Sequence, residues 1–167
     1  MQTTKLPTMK INGKTMYLYW SYGSNLNQRQ MMARCSDAIP LMRADLPSYH
    51  LLFRGNRRGN GVATVEPQIG SKIPGALWAV SQADLRALDR YEGYPTLYTR
   101  GNIKVHTEEG EVVEAMTYWM HDHYVLAEPS DYYLQTIREG YMDFGLDLGR
   151  FDLFCAKHDA ACKGVTA

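Results

Sequence analysis

With 167 residues, the chain suits one domain with a single core of ordinary size, and residues 1–167 are read as one such unit. A composition of 45% hydrophobic and 22% charged residues excludes a disordered or fibrous chain. Eighteen Lys+Arg against 18 Asp+Glu give a formal net charge of +0, so no overall field draws the protein to nucleic acid or to an anionic membrane, and any ligand must be recognised locally.

No apolar stretch approaches the roughly 20 residues of a membrane span, and residues 1–14 lack a signal-peptide core, which makes a cytoplasmic location the expectation. Cys35, Cys155 and Cys162 are odd in number and carry no Cys-x-x-Cys spacing. They read as free thiols rather than as a disulfide framework or a zinc site. Cys35 ends the first predicted helix without a base beside it in sequence and is taken as structural.

In chain order, residues 1–14 are polar, contain Pro7 and Gly13, and read as a flexible arm. The aromatic run 17–22 fits a mostly buried strand, Gly23-Ser24-Asn25 punctuates it, and residues 28–34 have helical character. Asn25 with Gln28 three residues on offers a capping-box-like helix start, and Gly23 allows a ligand close to the backbone. Such a loop presents free N–H groups near a positive helix end, a place for a carboxylate, a phosphate or a developing oxyanion. The same residues also suit an ordinary strand-to-helix turn.

Residues 44–46 and 49–54 read as short extended segments interrupted by Pro47, and the Gly/Asn-rich stretch 55–61 as the tip of a hairpin whose second strand begins at 62–65. Arg57 and Arg58 on that tip suit either a grip on a substrate carboxylate or a solvated turn. Residues 67–74, with two prolines, read as a turn-rich connection before a buried strand at 75–80. Ser81 and Asp84 then form a helix-start pattern, with Leu85, Leu88 and Tyr91 at helical spacing and a stop before Gly93 and Pro95. Glu92 therefore falls at a helix C-terminus, where the dipole disfavours a carboxylate.

Alternation over 98–105 and 111–120 around Thr107–Gly110 predicts an antiparallel hairpin. His121 and His123 follow it with two metal-ligand side chains but no third partner at a recognisable spacing, so no metal is assigned. Pro129-Ser130 opens a helix with Leu134, Ile137 and Tyr141 on one face and Gly140 or Gly145 as its end, and 151–162 form a last short helix. Strand-rich with hairpins and a few helices, the pattern is α+β with a mixed or antiparallel sheet.

Tyr22-Gly23-Ser24-Asn25-Leu26 after an aromatic strand, Leu88-Asp89-Arg90-Tyr91-Glu92-Gly93-Tyr94-Pro95 followed by Tyr98, Tyr118-Trp119-Met120, and Pro129-Ser130 before Tyr133 together resemble the γ-glutamylcyclotransferase-like family. The likeness runs in order over about residues 17–146 and leaves residues 1–14 and a C-terminal extension, 149–167, outside it. It implies a small β-barrel-like sheet flanked by helices and release of 5-oxoproline from a small γ-glutamyl compound, with no cofactor. It also implies that Tyr22, Gly23, Ser24, Asn25 and Leu26 hold the γ-glutamyl group, that Glu92 is the acid/base, and that Tyr98, Tyr118 and Tyr133 line the pocket. Tyr132 beside Tyr133 is an alternative for the last of these.

The chemistry suits these residues. The substrate's own α-amine attacks its γ-carbonyl, so neither a nucleophilic side chain nor a metal is required, and holding the cyclising conformer supplies much of the roughly 7–11 kcal/mol available from oriented intramolecular attack. An α-ammonium of pKa ~8 must lose its proton to a carboxylate of pKa ~4.3, about 5 kcal/mol uphill. Burial of Glu92 among Tyr91, Tyr94 and Tyr98 is expected to narrow that gap. Attack by water on the same bond, or ligand binding without turnover, are the competing readings; the leaving amine and the oligomeric state are not encoded in any motif.

Overall fold

The computed structural model describes residues 4–55 and 60–164, and Arg57 and Arg58 lie outside them. The expected α+β architecture is observed. Seven strands form one sheet in the order β1-β2-β4-β3-β5-β6, and it closes into a ring because β6 also pairs with β2. The strands are β1 (Thr8–Ile11), β2 (Lys14–Ser21), β3 (Ile39–Gly55), β4 (Val62–Val80), β5 (Tyr98–Thr107), β6 (Val112–Met120) and β7 (Val125–Leu126), the last paired with β3. The β2–β6 closure is parallel at Tyr19 and Met116, whereas the other neighbours run antiparallel. Helices α1 (Gln28–Arg34), α2 (Gln82–Tyr91), α3 (Asp131–Phe144) and α4 (Leu148–Cys162) complete the described chain.

The aromatic run in β2 is continuous because both faces of that strand are covered. Trp20 packs in a cluster with Phe53, Leu77 and Ile137, while its neighbour Tyr19 packs in a second cluster with Met31, Trp78 and Tyr118. Alternate side chains of a strand point to opposite faces, so a strand buried on both reads as an unbroken apolar run. The buried indole N–H groups are satisfied: Trp20 Nε1 donates to Ala44 O at 2.8 Å and Trp78 Nε1 to Ser21 Oγ at 3.1 Å.

Three local expectations are corrected, and one alternative is decided. Thr8–Ile11, read as part of an arm, is an edge strand on β2, with Thr8 opposite Tyr17. Residues 67–74 are not a turn: β4 runs through them, and Pro74, Ile73 and Lys72 face Asp45, Leu46 and Pro47. The irregularity is confined to the register shift at Ser48, which has φ +62°, where Lys72 to Pro67 of β4 span one intervening residue of β3. The cap of α1 is Asn27, whose side chain accepts from Gln30 N, and Asn25 instead sits in the short 3₁₀ turn Ser24–Leu26. Of the two ends the sequence offers for α3, Gly145 is the one taken.

Gly140 has a different task. A Cβ there would lie 2.6 Å from Asn27 N and from the Leu26 carbonyl carbon, so the bare glycine is what lets α3 press against the turn that follows β2. Gly140→Ala should destabilise the fold by about 1–3 kcal/mol through overpacking, outweighing the roughly 1 kcal/mol alanine gains in an ordinary helix interior. Urea unfolding measures this, and a variant as stable as wild type would mean the turn yields freely.

Candidate active site

The end of β2, the end of α2 and one turn of α3 meet around a cavity of about 210 Å³. From the β2 side it is lined by Tyr22 and by Gly23, Ser24 and Asn25 of the following turn. Glu92 enters from the C-cap of α2, Tyr98 from the start of β5, Tyr118 from β6 and Tyr133 from α3. Eight of the nine residues inferred from sequence thus converge. Leu26 does not: it is fully buried, packed into the core beneath the turn. Tyr132 is 76% exposed, which leaves Tyr133 as the residue of that pair in the cavity.

Glu92 occupies the C-cap, where its backbone N–H donates to Leu88 O at 2.8 Å and the chain then turns at Gly93 with φ +63°. Its Oε1 accepts from Asn25 Nδ2 at 3.0 Å. The residue as a whole is half-buried because it opens on the cavity, yet its carboxyl is deep enough that burial pushes it from an ordinary 4.5 up to about 7, against the opposing pull of Arg34 and of the Asn25 hydrogen bond. Of the three tyrosines named from sequence, Tyr91 and Tyr98 line the cavity, Tyr91 at its exposed side, while the exposed Tyr94 does not. Tyr19, Tyr22, Tyr118 and Tyr133 line it as well.

The backbone of one residue, Ala63, organises three of these rings. Ala63 O accepts from Tyr98 OH at 2.6 Å and, at longer range, from Tyr22 OH at 3.5 Å; Ala63 N donates to Tyr133 OH at 3.0 Å. Tyr22 OH also donates to Tyr118 O at 2.6 Å. Burial raises the pKa of all three phenols well above or above the usual value, so they stay protonated and act as dipoles. Because Tyr133 OH accepts from Ala63, its own hydrogen is directed elsewhere. A Cβ on Gly23 would lie 3.6 Å from that hydroxyl and 3.3 Å from Ala63 Cβ, so glycine keeps the space in front of Tyr133 open.

Tyr118 contributes its ring but not its hydroxyl. The OH donates to Asp89 Oδ1 at 2.7 Å, on a carboxylate that Arg100 also grips at 2.6 Å. In the same lining, the N–H groups of Gly23, Ser24 and Asn25 stand at the start of a 3₁₀ turn, where no intrahelical acceptor exists. Among the described residues none of the three donates to another group. They are the natural place for negative charge.

Sequence reasoning did not find Tyr19, Ala63 or Arg34. Tyr19 is one of four aromatic residues in the run 17–22, and Ala63 acts through its backbone, which leaves no mark on composition. His121 and His123 lie beyond β6 with stacked rings, and His121 Nε2 is 2.7 Å from Pro95 O. A separate trio, Glu128, His158 and Cys162, has ligand-type atoms within 4.8 Å of one another. Both nitrogens of His158 are engaged there, by Phe53 N–H at 3.3 Å and Ala127 O at 2.9 Å. Among the described residues no helix is long and apolar enough to cross a membrane.

A ring-closed sheet bearing a cavity walled by phenols around one elevated carboxyl defines a class of small α+β domain with an acid/base-type pocket. Residues 19–140 match the family described as Gamma-glutamyl cyclotransferase, AIG2-like, and the chain belongs to that family. It is 32% identical over 140 residues to human gamma-glutamylcyclotransferase, an alignment covering 79% of this chain and 73% of that one. The bovine protein of the same name is 31% identical over the same shares. A solved structure of a gamma-glutamyl cyclotransferase superposes with a TM-score of 0.77 at 28% identity, covering 83% of this chain and 86% of the other.

An elevated carboxyl has a consequence for stability. Folding raises the pKa of Glu92, so its contribution is fully present below the unfolded value near 4.5 and is lost as pH rises through about 7. Glu92→Gln, neutral throughout, should therefore be more stable than wild type at pH 8.5, by at most about 3 kcal/mol given the solvent contact at the cavity mouth, and no more stable at pH 4. Urea titrations at the two pH values measure it; equal stabilities at pH 8.5 would mean the carboxylate is well solvated.

Proposed function

We propose that this protein is a γ-glutamylcyclotransferase: it releases 5-oxoproline and a free amine from a small γ-glutamyl compound, with Glu92 as general base and then acid. The observation that carries the reading is the carboxyl held near 7 in a cavity that Gly23, Ser24 and Asn25 also line, with backbone N–H groups that donate to no other group among the described residues. Kinship with enzymes bearing that name supports it.

In this scheme Glu92 removes one proton from the substrate α-ammonium. The freed nitrogen attacks the γ-carbonyl carbon, and the carbonyl oxygen takes up negative charge against the N–H groups of Gly23–Asn25. Glu92 then gives its proton to the departing nitrogen, the C–N bond breaks, and a second proton leaves the attacking nitrogen for the carboxylate as the lactam forms. That last proton passes to the product amine or to solvent. With the carboxyl near 7 and an α-ammonium near ~8, the first transfer is uphill by about 1.4 kcal/mol instead of about 5. Removal of one preorganised donor to an oxyanion typically costs about 3–4 kcal/mol, which sets the scale for the loop's part.

Incubation with γ-glutamyl dipeptides, γ-glutamyl amines and glutathione, with mass spectrometry of the products, tests the proposal. The expected product is 5-oxoproline, kcat/KM should fall about tenfold per pH unit below about 7, and Glu92→Gln should lose turnover while retaining substrate affinity. Glutamate as product would make the protein a hydrolase, and binding without any product would make it a ligand-holding relative; either result overturns the cyclotransferase reading.

A further inference from the structure

We infer that Arg34 is a positioning residue for this proton transfer: it sets the orientation of the Asn25 side-chain amide, and so decides which oxygen of Glu92 remains free to exchange protons with the substrate. The inference rests on the proposed function and extends it to a residue outside the cavity lining.

Arg34 is the last residue of α1, and its guanidinium is held from three sides. NH1 donates to Asn25 Oδ1 at 2.9 Å, and NH2 donates to Gln30 Oε1 at 2.7 Å and to Tyr91 OH at 2.8 Å. The group also lies flat on the Tyr91 ring, 3.7 Å from its centroid. A guanidinium has only donors, so the atom of Asn25 that faces it must be the oxygen. The amide nitrogen is thereby turned inward, where it donates to Glu92 Oε1 at 3.0 Å and to Tyr19 OH at 3.1 Å.

The consequence falls on Glu92. An oxygen that accepts from an N–H is a poor place for a proton, so Oε1 stays an acceptor and the exchangeable proton resides on Oε2. If Asn25 were turned over, its carbonyl oxygen would face Oε1. It would then either repel the carboxylate or capture the carboxyl proton in a hydrogen bond that does not lead to substrate. Without Arg34 only Glu92 itself, and only while ionised, favours this orientation, because a protonated carboxyl and Tyr19 OH can each donate as readily as accept.

The groups facing Glu92 are Tyr19 from β2, Tyr22 just past its end, Tyr91 from its own helix, Tyr98 from β5, Tyr133 from α3 and Arg34 from α1. The buried phenols carry no charge near neutrality, which leaves Arg34 as the cation among the described residues that acts on the carboxyl. Charge and fork geometry are separable by substitution, since lysine keeps the first and lacks the second.

The test uses full-length protein labelled with ¹³C at glutamate carboxyls, the Glu92 signal being identified by its loss in Glu92→Gln. Wild type, Arg34→Met and Arg34→Lys are titrated from pH 5 to 9, and kcat and KM are measured with a γ-glutamyl dipeptide that wild type converts. Arg34→Met should move the Glu92 midpoint to higher pH and lower kcat by about tenfold or more, with KM changed less than about twofold. Arg34→Lys should leave the midpoint near that of wild type yet still lose kcat, because one ammonium cannot hold Asn25, Gln30 and Tyr91 together.

An unmoved midpoint in Arg34→Met, or full recovery of kcat in Arg34→Lys, overturns the inference. If Arg34→Met does not fold, the lysine variant decides alone. Absence of turnover in wild type would count against the proposed function, whereas the carboxyl titration still tests the link from Arg34 to Glu92.

Discussion

The arrangement depends on keeping one carboxyl away from water while leaving it a single well-defined hydrogen bond. Desolvation alone would drive Glu92 far upward and leave it permanently protonated; a full salt bridge would drive it down and leave it a weak base. Here the guanidinium of Arg34 stands one residue removed, with the Asn25 amide between it and the carboxylate. The cation is thus felt but not in contact, and the two opposing influences leave the group near neutrality, where an acid/base catalyst is most effective.

The fold supplies this by bringing together chain segments that are distant in sequence. Closure of the sheet through β2 and β6 places the Ser24–Leu26 turn beside the end of α2. Close approach of α3 at Gly140 then fixes the turn from behind. The Ala63 backbone ties Tyr98 and Tyr133 to the same point of β4, so a shift of that strand would move two walls of the cavity at once. The cavity is therefore a product of the sheet's closure as a whole rather than of any one loop.

What could be read from the sequence follows the range of the forces involved. The limits of α2 were legible because its signals are local: Ser81 and Asp84 form a capping box, and Gly93 takes a positive φ just past the end. The hairpin of β5 and β6 was legible for the same reason, and so was the place of Glu92 on a helix end. Residues 67–74 read as a turn because two prolines and Gly70 look like one locally, whereas the pairing of Pro67 and of Lys72–Pro74 with β3 that makes them strand is a tertiary contact. Thr8–Ile11 is too short and polar to announce a strand without its partner. Asn25 and Asn27 are equally good caps by type, and only the 3₁₀ turn decides between them. The burial of Glu92 was anticipated, but the residues lining its cavity were sought next to it in sequence, whereas Tyr19, Tyr22 and Tyr133 come from elsewhere in the chain.

The central claim is geometric: in the bound state the α-amine of a γ-glutamyl ligand sits against residue 92 and the γ-carbonyl oxygen against the amides that follow β2. A crystal structure of Glu92→Gln soaked with a γ-glutamyl dipeptide measures both contacts at once. The account predicts the amine nitrogen and the carbonyl oxygen each at hydrogen-bond distance, roughly 2.7–3.2 Å, from residue 92 and from a backbone nitrogen of Gly23, Ser24 or Asn25 respectively. A ligand bound with its amine in solvent, or with its γ-carbonyl turned away from that loop, would contradict it.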